Sequence, residues 1–155
     1  MDQRDRTERV RKIVQLAREE AARLHNEFVD TEHILLGIVR DPRSVATSLL
    51  RNLSIDPDAL RAKIESLARA GNYRGPTQEL PYSSAADQVF ALAEREAREL
   101  NHFYVGTEHL LLGVLREEKG LGAQALLAAG ATLEGTREKM IALLSGDDPR
   151  LFAET

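Results

Sequence analysis

The 155-residue sequence predicts an all-α fold made of two tandem copies of one four-helix unit. Three observations predict it. Ala, Leu, Glu and Arg, which favour helices, are abundant, while aromatic residues make up only 5%. Apolar residues recur at spacings of three and four along most of the chain. The block Val29-Asp30-Thr31-Glu32-His33-Ile34-Leu35-Leu36-Gly37-Ile38-Val39-Arg40 returns as Val105-Gly106-Thr107-Glu108-His109-Leu110-Leu111-Leu112-Gly113-Val114-Leu115-Arg116, identical at eight of twelve positions with an offset of 107 − 31 = 76. Self-similarity over such a distance marks a duplicated structural unit.

In the first copy, Val10, Ile13, Val14, Ala17, Ala21 and Leu24 form one apolar stripe, so a helix is expected from about Thr7 to His25. Arg9, Arg11, Lys12, Arg18 and Arg23 interleave with Glu8, Glu19 and Glu20, which reads as a solvated face. The second helix is expected to start at Thr31, with its hydroxyl as cap and Glu32 in the first turn, where a carboxylate complements the helix dipole. Ile34, Leu35, Leu36, Ile38 and Val39 make it too apolar for a surface helix, so it belongs at the centre of the unit, and Asp41-Pro42 ends it. A third helix follows from about Ser44 to Leu53, and a fourth opens at Asp56 with Pro57 at its first position and runs to about Ala70. The second copy repeats these near Ser83 to Asn101, Thr107 to Glu117, Gly120 to Ala129 and Thr132 to Leu144. One domain over residues 1–145 is expected, with repeat one at about 6–70, a Gly- and Pro-containing linker at 71–82, repeat two at about 83–145 and a flexible tail at 146–155.

Composition excludes several classes. There is no cysteine, hence no disulfide framework and no thiol nucleophile. The net charge of −4 comes from interspersed signs, which speaks against a nucleic-acid surface. The longest candidate apolar run, Ile34 to Val39, is far short of a membrane span, and the charged Met1 to Arg6 stretch does not read as a secretory signal, so cytoplasmic residence is expected. The histidines His25, His33, His102 and His109 show no His-Glu-x-x-His spacing, so no metal is expected. Ser83 and Ser84 lack a Gly-x-Ser-x-Gly context; no catalytic residue, and no cofactor, is expected.

The paired Val-x-Thr-Glu-His-x-Leu-Leu-Gly blocks, each about 20 residues after the start of an amphipathic helix, resemble the Clp N-terminal repeat domain at the head of ClpC and ClpA unfoldases. The resemblance implies a pseudo-twofold eight-helix bundle, monomeric and without chemistry of its own, that receives protein clients or adaptors for a ClpC-type ATPase. It also implies phosphoarginine binding at Glu32 and Glu108, with Thr31 and Thr107 beside them, and a partner groove between repeats at Thr7, Tyr82, Ser83 and Asp87. A carboxylate accepts a guanidinium bidentately while a helix N-terminus offers N–H groups to phosphate. Both glutamates are expected to be exposed at their helix starts.

Departures from the family pattern matter. Arg6 stands where an aromatic is usual, Asp87 where the family has lysine, and Asp30 where Gly106 keeps glycine. Added negative charge should weaken an anion site, so the second site is expected to be the stronger. No Gly-x-x-x-x-Gly-Lys-Ser/Thr occurs, so this stretch carries no nucleotide-binding loop. Two readings of its extent stay open, a stand-alone protein or a piece of a longer ATPase, and the charged segment after Leu144 leans toward the first. A helical regulator or decoy that binds proteins through the groove, without phosphoarginine, is the alternative function.

Overall fold

The computed structural model describes residues 5–145, so the tail expected at 146–155 lies outside the described residues. Among the described residues the chain forms eight α-helices in two sets of four. The first set is α1 (Glu8–Arg23), α2 (Thr31–Val39), α3 (Val45–Asn52) and α4 (Pro57–Leu67); the second is α5 (Ser84–Glu99), α6 (Thr107–Glu117), α7 (Leu121–Ala128) and α8 (Leu133–Ser145).

Local chemistry sets most boundaries. Thr7 Oγ1 accepts the Val10 N–H at 3.2 Å to open α1, and Ser83 Oγ accepts the Ala86 N–H at 3.0 Å to open α5. Both helices end earlier than the stripe suggested, because His25 and Asn101 take left-handed φ of 58° and 60°. Asp56 caps α4, with Pro57 at its first position.

The central helices α2 and α6 are buried along nearly their whole length, and their Leu35, Leu36, Leu111 and Leu112 join one hydrophobic core shared by both repeats. Each packs on the first helix of its own repeat at a glycine. A Cβ at Gly37 would lie 2.7 Å from the Ile13 carbonyl oxygen, and one at Gly113 2.5 Å from that of Val89, so only glycine permits this backbone approach. Across the seam, α2 packs on α7 and α6 on α3.

One short strand pair and one isolated bridge were not foreseen. Segment β1 (Asp5–Arg6), before α1, runs parallel to β2 (Tyr104–Val105), before α6, and Val29 bridges Tyr82 in the pseudo-equivalent place. The Thr7 N–H donates to the Val105 carbonyl at 3.0 Å, and the Ser83 N–H to Val29 at 2.9 Å. Residues entering a helix in extended conformation need partners for their backbone, and each repeat supplies those of the other. The linker is likewise tied down: Gly71 and Tyr73 donate to the Leu24 and His25 carbonyls, and Leu80 is buried.

The supposedly solvated face of α1 hides a buried carboxylate. Glu20 is 3% exposed and accepts from Arg23, Arg40 and Arg61 at 2.9 to 3.1 Å, joining α1, α2 and α4. Its counterpart Glu96, at 20 + 76 = 96, accepts from Arg116 at 2.6 Å and Arg137 at 2.7 Å, joining α5, α6 and α8. Burial pushes the Glu96 carboxyl up, but the hydrogen bonds and charges of Arg137 and Arg116 outweigh it and hold it below the usual carboxylate range.

Candidate functional site

The Thr-Glu-His blocks open α2 and α6, but Thr31 and Thr107 are not the caps. The cap positions are Asp30 and Gly106; the Thr31 N–H donates to Asp30 Oδ1 at 2.8 Å. Each threonine, fully buried, serves the opposite repeat. Thr31 Oγ1 accepts the Gly122 N–H at 3.1 Å, in the first turn of α7, and Thr107 Oγ1 accepts the Ala46 N–H at 3.0 Å, in the first turn of α3. A hydroxyl satisfies whichever orphan helix N–H lies nearest, and here that is the one across the seam.

The histidines close the start of each helix. His33 Nδ1 accepts the Asp30 N–H at 2.8 Å, so its proton is on Nε2, which donates to Asn26 Oδ1 at 2.8 Å. His109 Nδ1 accepts the Gly106 N–H at 2.8 Å, and its Nε2–H donates to His102 Nδ1 at 2.7 Å. Burial depresses His33 to about 4; burial and then the neighbouring His102 depress His109 to about 3, and burial also lowers His102. The two block histidines are therefore neutral, with both ring nitrogens committed. Among the described residues no three His, Asp or Glu side chains are gathered to hold an ion, and no helix is long and apolar enough to cross a membrane.

The glutamates are buried, contrary to the expectation of exposure: Glu32 is 8% and Glu108 2% exposed. Glu32 sits where the start of α2 meets Leu121 of the second repeat, and Glu108 lies beside Tyr104 and Gly106 of its own repeat. They are not equivalent. Glu108 accepts the Tyr104 hydroxyl on Oε2 at 3.2 Å, and its carboxylate folds back over Gly106, where any side chain would collide with it. Glu32 lines a cavity of about 250 Å³ with Phe28, Asp30, His33, Arg69 and, from the second repeat, Leu121. Its Oε1 is buried without a hydrogen-bond partner. Burial pushes the Glu32 carboxyl up to about 7; its own backbone N–H opposes this and the Asp30 carboxylate adds to it.

Of the expected groove residues, Thr7, Tyr82 and Ser83 fall at the seam. Thr7 and Ser83 cap helices, and Ser83 Oγ also donates to Asp30 Oδ1 at 2.8 Å, which couples the seam to the start of α2. Tyr82 accepts from Arg18 at 3.2 Å and packs against Phe90, its ring centroid 4.9 Å away. Arg6, where an aromatic was expected, covers that Phe90 ring at 4.4 Å by its cationic face. Asp87 is exposed in the first turn of α5. Sequence reasoning missed the cavity, the Asp30–Ser83 contact and the two arginine-bound carboxylates; the last were signalled by the identity of Glu20, Arg40 and Arg61 with Glu96, Arg116 and Arg137 at the repeat offset.

The family profile of the Clp repeat (R) N-terminal domain matches residues 6–129 and 82–146. The chaperone protein ClpB of Oceanobacillus iheyensis is 39% identical over 142 residues, which is 92% of this chain and 17% of that protein. The negative regulator of genetic competence ClpC/MecB of Bacillus subtilis is also 39% identical, with the same coverage. The chain thus spans about one-sixth of the length of these relatives. Among solved structures, the Hsp104 N-terminal domain from Candida albicans superposes with a TM-score of 0.77 at 21% identity, covering 97% of this chain and 99% of that one. The N-terminal domain of ClpD from Arabidopsis thaliana gives 0.70 at 24%, covering 91% and 95%.

Proposed function

Because the chain belongs to the Clp repeat N-terminal domain family, we propose that it is a non-enzymatic recognition module that receives protein clients or adaptors for a ClpC-type ATPase, and that it reads phosphoarginine at the start of α6. The observation that carries this reading is the burial of Glu32 and Glu108 at matching helix starts. Burying a carboxylate costs free energy unless it is matched, and Glu32 lacks the arginine partners that Glu20 enjoys. A ligand that brings a guanidinium supplies the match. The phosphoryl group would then lie toward the positive end of the helix dipole, kept from the carboxylate by the guanidinium.

Of the two starts, α6 is the better anion site. Its cap is Gly106, which leaves Glu108 as the carboxylate at that start, whereas α2 carries the Asp30 carboxylate beside Glu32. Glu108→Ala should therefore weaken phosphoarginine binding more than Glu32→Ala, with circular dichroism confirming that both variants fold. Equal losses would remove the ranking, and no loss in either would remove the carboxylate role.

A second reading, docking of a protein partner at the seam without phosphoarginine, is favoured by Phe103, which is 88% exposed next to Tyr104. Retention of client or adaptor binding in a Glu32→Ala, Glu108→Ala double variant, with loss in Phe103→Ser, would select it. Sedimentation over a range of concentrations tests the expected monomer.

A further inference from the structure

We propose that the end of α5, from Leu100 to Phe103, docks an extended segment of a partner polypeptide in which a glycine is followed two residues on by an aromatic. The site rests on the reading of this domain as a recognition module, to which it adds a peptide ligand held through its backbone.

The first helices of the two repeats end alike. In repeat one the N–H groups of Leu24, His25 and Asn26 donate to the carbonyls of Glu20, Ala22 and Ala21. In repeat two those of Leu100, Asn101 and His102 donate to Glu96, Arg98 and Ala97, each pair displaced by the same 76 residues. His25 and Asn101 also share the left-handed φ, at 58° and 60°. Leu100 and Asn101 therefore present their carbonyls as Leu24 and His25 do. Carbonyls that close a helix have no partner within it and sit at its negative end, so they take donors from elsewhere.

Repeat one shows what fills such a place. The Gly71 N–H donates to the Leu24 carbonyl at 2.9 Å and the Tyr73 N–H to the His25 carbonyl at 2.8 Å, while His25 Nδ1 donates to the Tyr73 carbonyl at 3.2 Å. Glycine is required at the first position, because a Cβ on Gly71 would run into the His25 carbonyl oxygen. The aromatic at the second packs on the edge of the core.

In repeat two, among the described residues, no backbone N–H donates to the Leu100 or Asn101 carbonyl. The sequence after α8 cannot copy the linker in register. Asp147 stands at the place of Gly71 and brings the excluded Cβ; Pro149 stands at that of Tyr73 and has no N–H to give. The flank has changed as well. Glu27, which lines a cavity of about 420 Å³ with His25, Asn26 and linker residues Gly71 to Tyr73, is replaced by Phe103, 88% exposed. A ligand laid along Leu100 and Asn101 covers that ring, and the Asn101 amide can donate to the ligand as His25 does to Tyr73. Backbone pairing supplies attachment and the glycine and aromatic supply selectivity, as in other captures of extended peptides.

The test is an NMR titration of the folded domain with a capped peptide of the linker sequence, Ala70-Gly71-Asn72-Tyr73-Arg74. Saturable shifts are expected at the amides of Leu100 to Tyr104. Methylating the tyrosine nitrogen of the peptide, or placing valine at its glycine, should each weaken binding about tenfold, since one removes a hydrogen bond and the other forces the backbones apart. Phe103→Ser in the domain should weaken it several-fold. Absence of shifts at Leu100 to Tyr104, shifts confined to Leu24 to Asn26, or equal affinity for the N-methylated peptide overturns the proposal. A client or adaptor that binds without disturbing Leu100 to Tyr104, where the peptide also fails, overturns this site and leaves the recognition reading standing. Peptide binding here without capture of any client or adaptor does the reverse.

Discussion

Replacing Glu32 with glutamine should stabilise the protein, and should do so only above mildly acidic pH. The folded protein holds the Glu32 proton more tightly than the unfolded chain, because the carboxyl rises from 4.5 to about 7 on burial. Below the unfolded value both states are protonated and nothing is lost. As pH climbs from 4.5 through 7, the unfolded state ionises first, and stability falls. At about 1.36 kcal/mol per unit the gap amounts to about 3 kcal/mol at full effect. Glutamine resembles the protonated carboxyl in shape and does not titrate, so it avoids that loss. The variant should exceed the parent by about 2–3 kcal/mol at pH 8, on the order of 5–10 °C in Tm for a domain of this size, and match it near pH 4.5. Denaturant unfolding of both proteins across that range is the assay. Taking the difference cancels the shared contributions of His33 and His109, which act in the opposite direction at acid pH because their folded values are depressed. A stability difference that does not change with pH would refute the reasoning.

The other predictions concern the scaffold. Gly113→Ala should cost about 1–3 kcal/mol in chemical denaturation, since its Cβ would press on the Val89 carbonyl and overpacking outweighs the gain in helix propensity. Glu96→Gln should cost about 2 kcal/mol at pH 7, less than a fully buried broken pair because Arg116 and Arg137 retain some exposure; that loss should shrink toward acid pH, where the parent's carboxylate protonates. Thr107→Val keeps shape but strands the Ala46 N–H at the start of α3, and should cost about 1–2 kcal/mol and raise hydrogen exchange in α3 of the first repeat.

The helices were legible because their signals are local. Apolar spacing marks α1 and α5, Asp56-Pro57 marks the start of α4, and the 76-residue repeat forces the second set to copy the first. The caps of α2 were not legible, since Asp30 and Thr31 are adjacent good capping residues and only the position of α7 decides which amide the threonine meets. The burial of Glu32 ran against the rule that carboxylates face water, and nothing within its own helix signals the cavity it lines with Leu121 and Phe28. Glu20 and its arginines are spread over 61 − 20 = 41 residues, so along α1 they resemble an ordinary charged face. Contacts made across the seam are the class of information that periodicity leaves out.

Calorimetric titration with phosphoarginine, with inorganic phosphate as control, tests the central claim most directly. The account predicts saturable binding of phosphoarginine that Glu108→Ala weakens more than Glu32→Ala in folded variants, and no heat with phosphate. Absence of phosphoarginine binding, or binding that neither substitution weakens, would contradict it.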